Sequence, residues 1–158
     1  CRDFEKTTMI SGYSLEQLLP HDHPMILLSR FNHAHNDSVL CSVDISEQSP
    51  FYRPELGGVP AYVGLEYMAQ TVAAYAGAHK LALGDSVRLG FLLGCRKYQP
   101  EVSEFTLGTE LVIKATQLVM ESSGLSVFEC SISQQQQVLV SARLNVFQPD
   151  DHQAWLTE

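Results

Sequence analysis

The sequence predicts an α+β fold in which an antiparallel sheet wraps around one long central helix. Residues 61–83 form a single stretch rich in Ala, Leu, Met and Gln, with apolar side chains on nearly every face. A helix of that kind is buried, whereas one lying on a sheet surface keeps a wide polar stripe. Around it, residues 39–45, 111–116 and 138–146 alternate apolar and polar side chains with period two, the pattern of strands with one buried face. The element order is a short helix, two strands, the long helix and four strands. That order lacks the helix between most strands that βαβ units require. One sheet around one helix leaves much of the helix uncovered, so at least a dimer is expected.

The elements follow from local chemistry. Residues 1–13 read as a loose leader. Residues 14–19 read as a brief helix with Ser14 as N-cap, stopped by Pro20. Residues 25–31 are apolar and strand-like, and Asn36-Asp37 turns the chain into the strand that places Val39, Cys41, Val43 and Ile45 on one face. The prolines and the Gly57-Gly58 pair make residues 47–60 an irregular loop. Gly84-Asp85 stops the long helix. Residues 89–98 start the second set of strands, followed by one with Leu111, Ile113 and Ala115 on one face. Ser122-Ser123-Gly124 turns into residues 125–132, and the glutamines at 134–137 form a hairpin loop before the last strand. That strand places Val138, Val140, Ala142, Leu144 and Val146 together. The single domain spans residues 14–148, and residues 149–158 form an acidic, polar tail.

Composition narrows the function. With 158 residues, 45% of them apolar and 18% charged, the chain is long and apolar enough for one globular domain. Ten basic against eighteen acidic side chains give a net charge of −8, which argues against nucleic acid as the partner, because phosphate neutralisation needs clustered Lys and Arg. Residues 61–83 are interrupted by Glu66, Gln70, His79 and Lys80 and fall short of a membrane span. No signal-peptide pattern opens the chain, so a soluble cytoplasmic protein is expected. Cys1, Cys41, Cys95 and Cys130 lie far apart with no CxxC pair, which fits free thiols in a reducing compartment better than zinc or a disulfide framework.

Glu66 is the residue that stands out. It lies early in the apolar helix among Val63, Leu65, Tyr67, Met68 and Ala69. A carboxylate in such surroundings must be paired or protonated, and a protonated one can act as a general acid. The structural alternative is a helix-start glutamate satisfied by backbone N–H groups. His21 and His23 bracket Asp22 in a turn flanked by Pro20 and Pro24. Imidazole is the usual general base near neutral pH, and two histidines without matched further ligands make a poor zinc site, so no metal is expected. His33, His35, His79 and His152 read as solvated or capping residues. Gly57, Gly58 and Gly64 can bring backbone N–H groups close to a ligand at the helix start, or serve only the flexibility of a proline-rich loop. Arg96-Lys97 is the adjacent basic pair, suited to a phosphate or an acidic partner or to a solvated strand end.

The stretch Leu18-Leu19-Pro20-His21-Asp22-His23-Pro24-Met25-Ile26-Leu27-Leu28-Ser29-Arg30 resembles the opening motif of the hot-dog-fold 3-hydroxyacyl-acyl-carrier-protein dehydratases. Pro50-Phe51-Tyr52 and Gly64-Leu65-Glu66-Tyr67-Met68-Ala69-Gln70 resemble the segment that runs into that family's central helix. Glu66 falls on the position of its catalytic acid. Gly90-Phe91-Leu92-Leu93-Gly94-Cys95-Arg96-Lys97 is more similar to a divergent branch, the dehydratase-like proteins of aryl-polyene pigment clusters. The resemblance runs from about Ser14 to Phe147. One departure matters: the fatty-acid enzymes carry their catalytic histidine in a Gly-His-Phe-Pro segment, and here residues 53–60 hold none. His21 matches the family's own histidine in the opening motif, and His23 replaces a residue that is usually aromatic or small.

The resemblance implies a hot-dog fold and dehydration of a 3-hydroxyacyl thioester on an acyl carrier protein to the trans-2-enoyl thioester. It assigns Glu66 as the acid; with the family's histidine missing, His21 or His23 is the available base, and the helix-start glycines Gly58 and Gly64 are the expected substrate contacts. No cofactor is implied beyond the carrier's phosphopantetheine. Arg96, Lys97 and Arg88 would receive the acidic carrier. Two rivals stay open: a non-catalytic or half-site subunit completing a partner hot-dog dehydratase, and an acyl thioesterase, since a fold does not fix its chemistry.

Overall fold

Ser14 starts the first element by reciprocal capping. In the computed structural model, which describes residues 9–19, 26–84 and 91–147 without the side chains at 91–93 and 96, the Ser14 hydroxyl accepts from the Gln17 N–H at 3.3 Å. Gln17 Oε1 in turn accepts from the Ser14 N–H at 2.8 Å. This capping box contributes about 1 kcal/mol and opens the single turn of α1 (Leu15–Leu18).

The sheet then forms from β1 (Arg30–Ala34) and β2 (Ser38–Asp44), a short β3 (Gly58–Pro60), β4 (Phe91–Pro100), a short β5 (Glu104–Thr106), β6 (Glu110–Met120), β7 (Leu125–Gln134) and β8 (Gln137–Phe147). Six strands make one antiparallel sheet in the order β1-β2-β6-β7-β8-β4, and β3 pairs with β5 in a separate ribbon. Between β3 and β4, a 3-10 turn at Ala61–Val63 leads into α2 (Gly64–Ala82). This long helix packs against β6, β2 and β7, the arrangement expected of a hot-dog fold.

Period-two patterning set the core as expected. Val39, Cys41, Val43 and Ile45 of β2 and its exit are at most 2% exposed, and Leu111, Ile113 and Ala115 of β6 are fully buried beside them. From α2 the inward side chains are Tyr67, Met68, Val72, Ala74, Tyr75 and Ala78. α1 packs on the same helix so closely that a Cβ on Gly77 would lie 2.3 Å from the Leu18 carbonyl oxygen. The two-residue hairpin at Gln135-Gln136 takes positive φ at both positions, the twist that matches antiparallel strands.

Four details differ from the sequence pattern. Ile26, Leu27 and Leu28 are buried at 5–8% exposure but lie outside any strand, and the first strand starts only at Arg30. They are apolar because the chain packs there, not because it pairs. The first turn of the long helix is 3-10. The loop at 47–60 ends in β3, whose three residues find their partner beyond the long helix. In β8 the register shifts opposite Ile132/Ser133, so Leu139 turns inward at 6% exposure and Val138 turns out at 51%. The leader up to residue 8, the tail and Pro20 lie outside the described residues.

Candidate active site

Glu66 sits in the first turn of α2. Contrary to the expectation of a carboxyl buried among apolar neighbours, it is exposed in this chain. The reason is rotational: Tyr67, Met68 and Gln70 point into the core, while Tyr62, Glu66, Ala69, Ala73 and Ala76 run down the side that the chain's own sheet leaves uncovered. Tyr62 is 67% exposed at the head of this stripe. The helix is therefore not covered all round by one protomer, as its apolar composition anticipates.

One carboxamide fixes the glutamate. Gln70, one turn further along α2, is 1% exposed. Its Nε2 donates to Glu66 Oε2 at 3.1 Å, and its Oε1 accepts from the Leu27 N–H at 2.9 Å. A buried backbone donor left unpaired costs about 1–3 kcal/mol, so the Leu27 contact also anchors the loop between α1 and β1. Gln70 was a residue that sequence reasoning passed over. The available signal was its i+4 spacing from Glu66 within a mostly apolar helix.

The helix start is built by close packing. Gly64 cannot take a Cβ, which would lie 2.4 Å from the Tyr98 hydroxyl, 2.9 Å from Ile132 Cδ1 and 3.0 Å from Phe105 Cζ. Gly58 is tighter, with its Cβ position 2.1 Å from the Phe105 carbonyl oxygen across the β3–β5 ribbon. Both glycines thus have a packing reason to be glycine. Their N–H groups are also engaged: that of Gly64 by the Ala61 and Tyr62 carbonyls, and those of Gly57 and Gly58 by the Arg53 carbonyl. They are not free to polarise a ligand, which corrects that part of the sequence reading. Tyr98 locks the same corner, donating its hydroxyl to the Ala61 carbonyl. Burial is the main cause that pushes its phenol up to about 12, so it stays a neutral donor at physiological pH.

Of the other expected site residues, the structure describes Arg96 and Lys97, both on β4. His21, His23 and Arg88 lie outside the described residues. Arg96 pairs by its backbone with Arg143 across β4 and β8, and Lys97 follows at φ +60° in the bulge between Arg96 and Gln99, with its side chain exposed. Of the remaining histidines, His79 Nε2 donates to the His35 carbonyl at 2.7 Å and its ring packs at a tilt against Tyr75, a structural role at the far end of α2. Cys41 and Cys130 are buried free thiols, and burial drives both up to about 12, while Cys95 is half-buried and free. Among the described residues no three His, Cys, Asp or Glu side chains gather as a metal site, and no helix is long and apolar enough to cross a membrane. A shallow cleft of about 370 Å³ opens between α1 and β1, lined by Leu15, Leu28, Arg30 and Phe31 among others, and Glu66 is not part of it.

Comparison with known proteins places this geometry. The model of the ApeP dehydratase family matches residues 13–157. The dehydratase heterocomplex ApeI:P from Xenorhabdus doucetiae is similar at 31% identity, with 94% of this chain and 99% of that one covered and a TM-score of 0.83. More distant structures share the fold alone. Cj0977, a virulence protein of Campylobacter jejuni, aligns at 15% identity over 87% of this chain and 89% of that chain, with a TM-score of 0.60. A hypothetical thioesterase from Streptococcus pneumoniae solved with coenzyme A aligns at 14% identity over 72% of this chain and 80% of that chain, with a TM-score of 0.56. A comparison with the curated proteins found no match. The helix that carries Glu66, the sheet behind it and the match across nearly the whole chain together mean that this protein belongs to the ApeP dehydratase family and is a dehydratase-type lyase of hot-dog fold.

Proposed function

We propose that the chain dehydrates a 3-hydroxyacyl group held as a thioester on the phosphopantetheine of an acyl carrier protein, with Glu66 as the acid and His21 or His23 as the base. The base removes the C2 proton, the electron pair forms the C2=C3 bond, and the C3–O bond breaks as Glu66 gives its proton to the departing hydroxyl. Water and the trans-2-enoyl thioester result, and the proton taken by the histidine returns to Glu66. Aryl-polyene synthesis is the setting that family membership supports. The observation that carries the assignment is the placement of Glu66: a single carboxyl at the head of the central helix, outside its own sheet, fixed by a buried carboxamide.

That same exposure supports a second subunit. A general acid works best where water is excluded, and one protomer leaves Glu66 and the stripe below it open. The similar Xenorhabdus structure is a heterocomplex of dehydratase chains, which favours a hot-dog partner subunit over a monomer as the working form. Lys97, exposed on an edge strand, and Arg96 beside it are offered as the landing point for the acidic carrier.

The test is Glu66→Gln. Because Glu66 is exposed, the exchange should leave the melting temperature within a few degrees and abolish dehydration. Turnover retained together with a large loss of stability contradicts the assignment.

A further inference from the structure

The loop before β3 carries a side chain that neither packing nor backbone geometry accounts for. The Tyr52 N–H donates to the Ser49 carbonyl at 3.0 Å, closing a β-turn with Pro50 and Phe51 at its two central positions. Phe51 has φ +70°. Proline first and a positive φ second make this a type II turn, whose second central residue is normally glycine or asparagine. A bulky residue there is strained against its own backbone. Among the described residues the other non-glycine positions with positive φ are Lys97, Gln135 and Gln136, all polar. Phe51 gains no burial in return, since it is 60% exposed.

The turn is also held firmly. The Ser49 hydroxyl accepts from the Ser46 N–H at 2.9 Å and donates to the Asp44 carbonyl at 3.3 Å. On the other side, Tyr52 packs against the core and the Arg53 N–H donates to the Gly58 carbonyl at 2.9 Å. A single exposed apolar side chain needs no explanation. One held outward by a fixed turn, at a position that favours glycine, does.

We propose that Phe51 is a preformed anchor for the hot-dog partner subunit, its ring filling an apolar hollow on that subunit. This rests on the partner subunit proposed above. A small ligand is received by a concave site, whereas Phe51 stands at the tip of a turn and fits into a surface other than its own. Leu56 and Tyr62, 39% and 67% exposed, add apolar surface along the same approach to α2. The Arg53–Gly58 bridge ties the turn to that approach, and Tyr62 heads the stripe that the chain's own sheet leaves uncovered. Aromatic side chains that are rigid before contact carry much of the binding energy at interface centres, because little freedom is lost on docking.

A strained anchor has its own thermodynamic signature: glycine in its place costs the free chain nothing and costs the complex a great deal. Phe51→Gly is made in the full chain, and the other chain of the similar Xenorhabdus heterocomplex serves as the probe. The melting temperature of the free variant should equal or exceed that of the parent, because glycine fits a positive φ. Its Kd for the probe, by titration calorimetry, should rise by about ten-fold or more. Phe51→Asn, which also suits this turn, should weaken the complex to the same degree. A Kd within about two-fold of the parent overturns the proposal. So does a large drop in melting temperature, which would mean that Phe51 packs within its own chain. An effect confined to glycine would trace it to backbone freedom, and one confined to pairing of the chain with its own copy would overturn the choice of partner. A parent that does not bind the probe removes the partner subunit and the anchor with it. A parent that binds no better than Phe51→Gly removes the anchor alone.

Discussion

At the scale of single residues, the site is assembled from side chains whose reasons differ. Glu66 is set by which side of α2 it falls on, Gln70 by a buried backbone donor that needs an acceptor, and Gly64 by three neighbours that fill its Cβ position. Glu66 was legible in the sequence because a carboxylate inside a long apolar helix is rare. Its exposure was not, since hydropathy cannot say which side of the helix the chain's own sheet will leave uncovered. Gln70 looked like an interruption of the apolar run and proved to be its polar anchor. Gly64 looked available to a ligand and proved to be a packing residue. Gly64→Ala measures that distinction. Overpacking costs about 1–3 kcal/mol, against a gain of up to about 1 kcal/mol in helix propensity. A net loss of stability by urea unfolding is therefore expected, and a more stable protein would mean that the space at Gly64 is kept for something other than packing.

At the scale of elements, long patterned segments were readable and short paired ones were not. α2, β2, β6 and the Gln135-Gln136 hairpin announce themselves by period or turn chemistry. β3 and β5 are three residues each and exist because the chain returns after α2 to pair them. The Leu139 bulge flips one side chain without any break in the alternating pattern that a reader would notice. The edge of the sheet is closed electrostatically: Arg30 on β1 bridges Asp44 at 2.6 Å and Glu110 at 2.6 Å, joining three strands. The Arg30 hydrogen bond is the main cause that holds the Asp44 carboxyl below its ordinary value of 3.8. A depressed carboxyl stabilises the fold above its unfolded pKa and loses that contribution as pH falls through the folded value. Asp44→Asn should therefore melt slightly lower than the parent above about pH 5, the gap closing as pH drops below about 4. The effect is small because both partners are exposed. A gap that persists unchanged to pH 2.5 would show that the ion pair is not its source.

At the scale of the whole molecule, one protomer supplies a sheet, a helix and a carboxyl, that of Glu66, which faces outward. The sequence already implied an incomplete wrap from the apolar breadth of residues 61–83, and the stripe from Tyr62 to Ala76 is where that incompleteness lies. With a net charge of −8, the chain as a whole repels an acidic protein, so the proposed docking of a carrier protein requires local basic side chains. Charge reversal of Arg96 and Lys97 should raise KM for a carrier-bound substrate by about ten-fold and leave a small thioester analogue nearly unaffected. Equal effects on both substrates would remove those residues from the docking role.

Whether Glu66 drives loss of water from a carrier-bound 3-hydroxyacyl group is decided by mass spectrometry of that acyl carrier protein after incubation with the chain. The chain is measured alone and with the hot-dog partner subunit proposed above, parent beside Glu66→Gln. An acyl group lighter by one water is expected with the parent and an unchanged one with Glu66→Gln. Release of the free carrier without an enoyl product, or dehydration that survives Glu66→Gln, would contradict that role of Glu66.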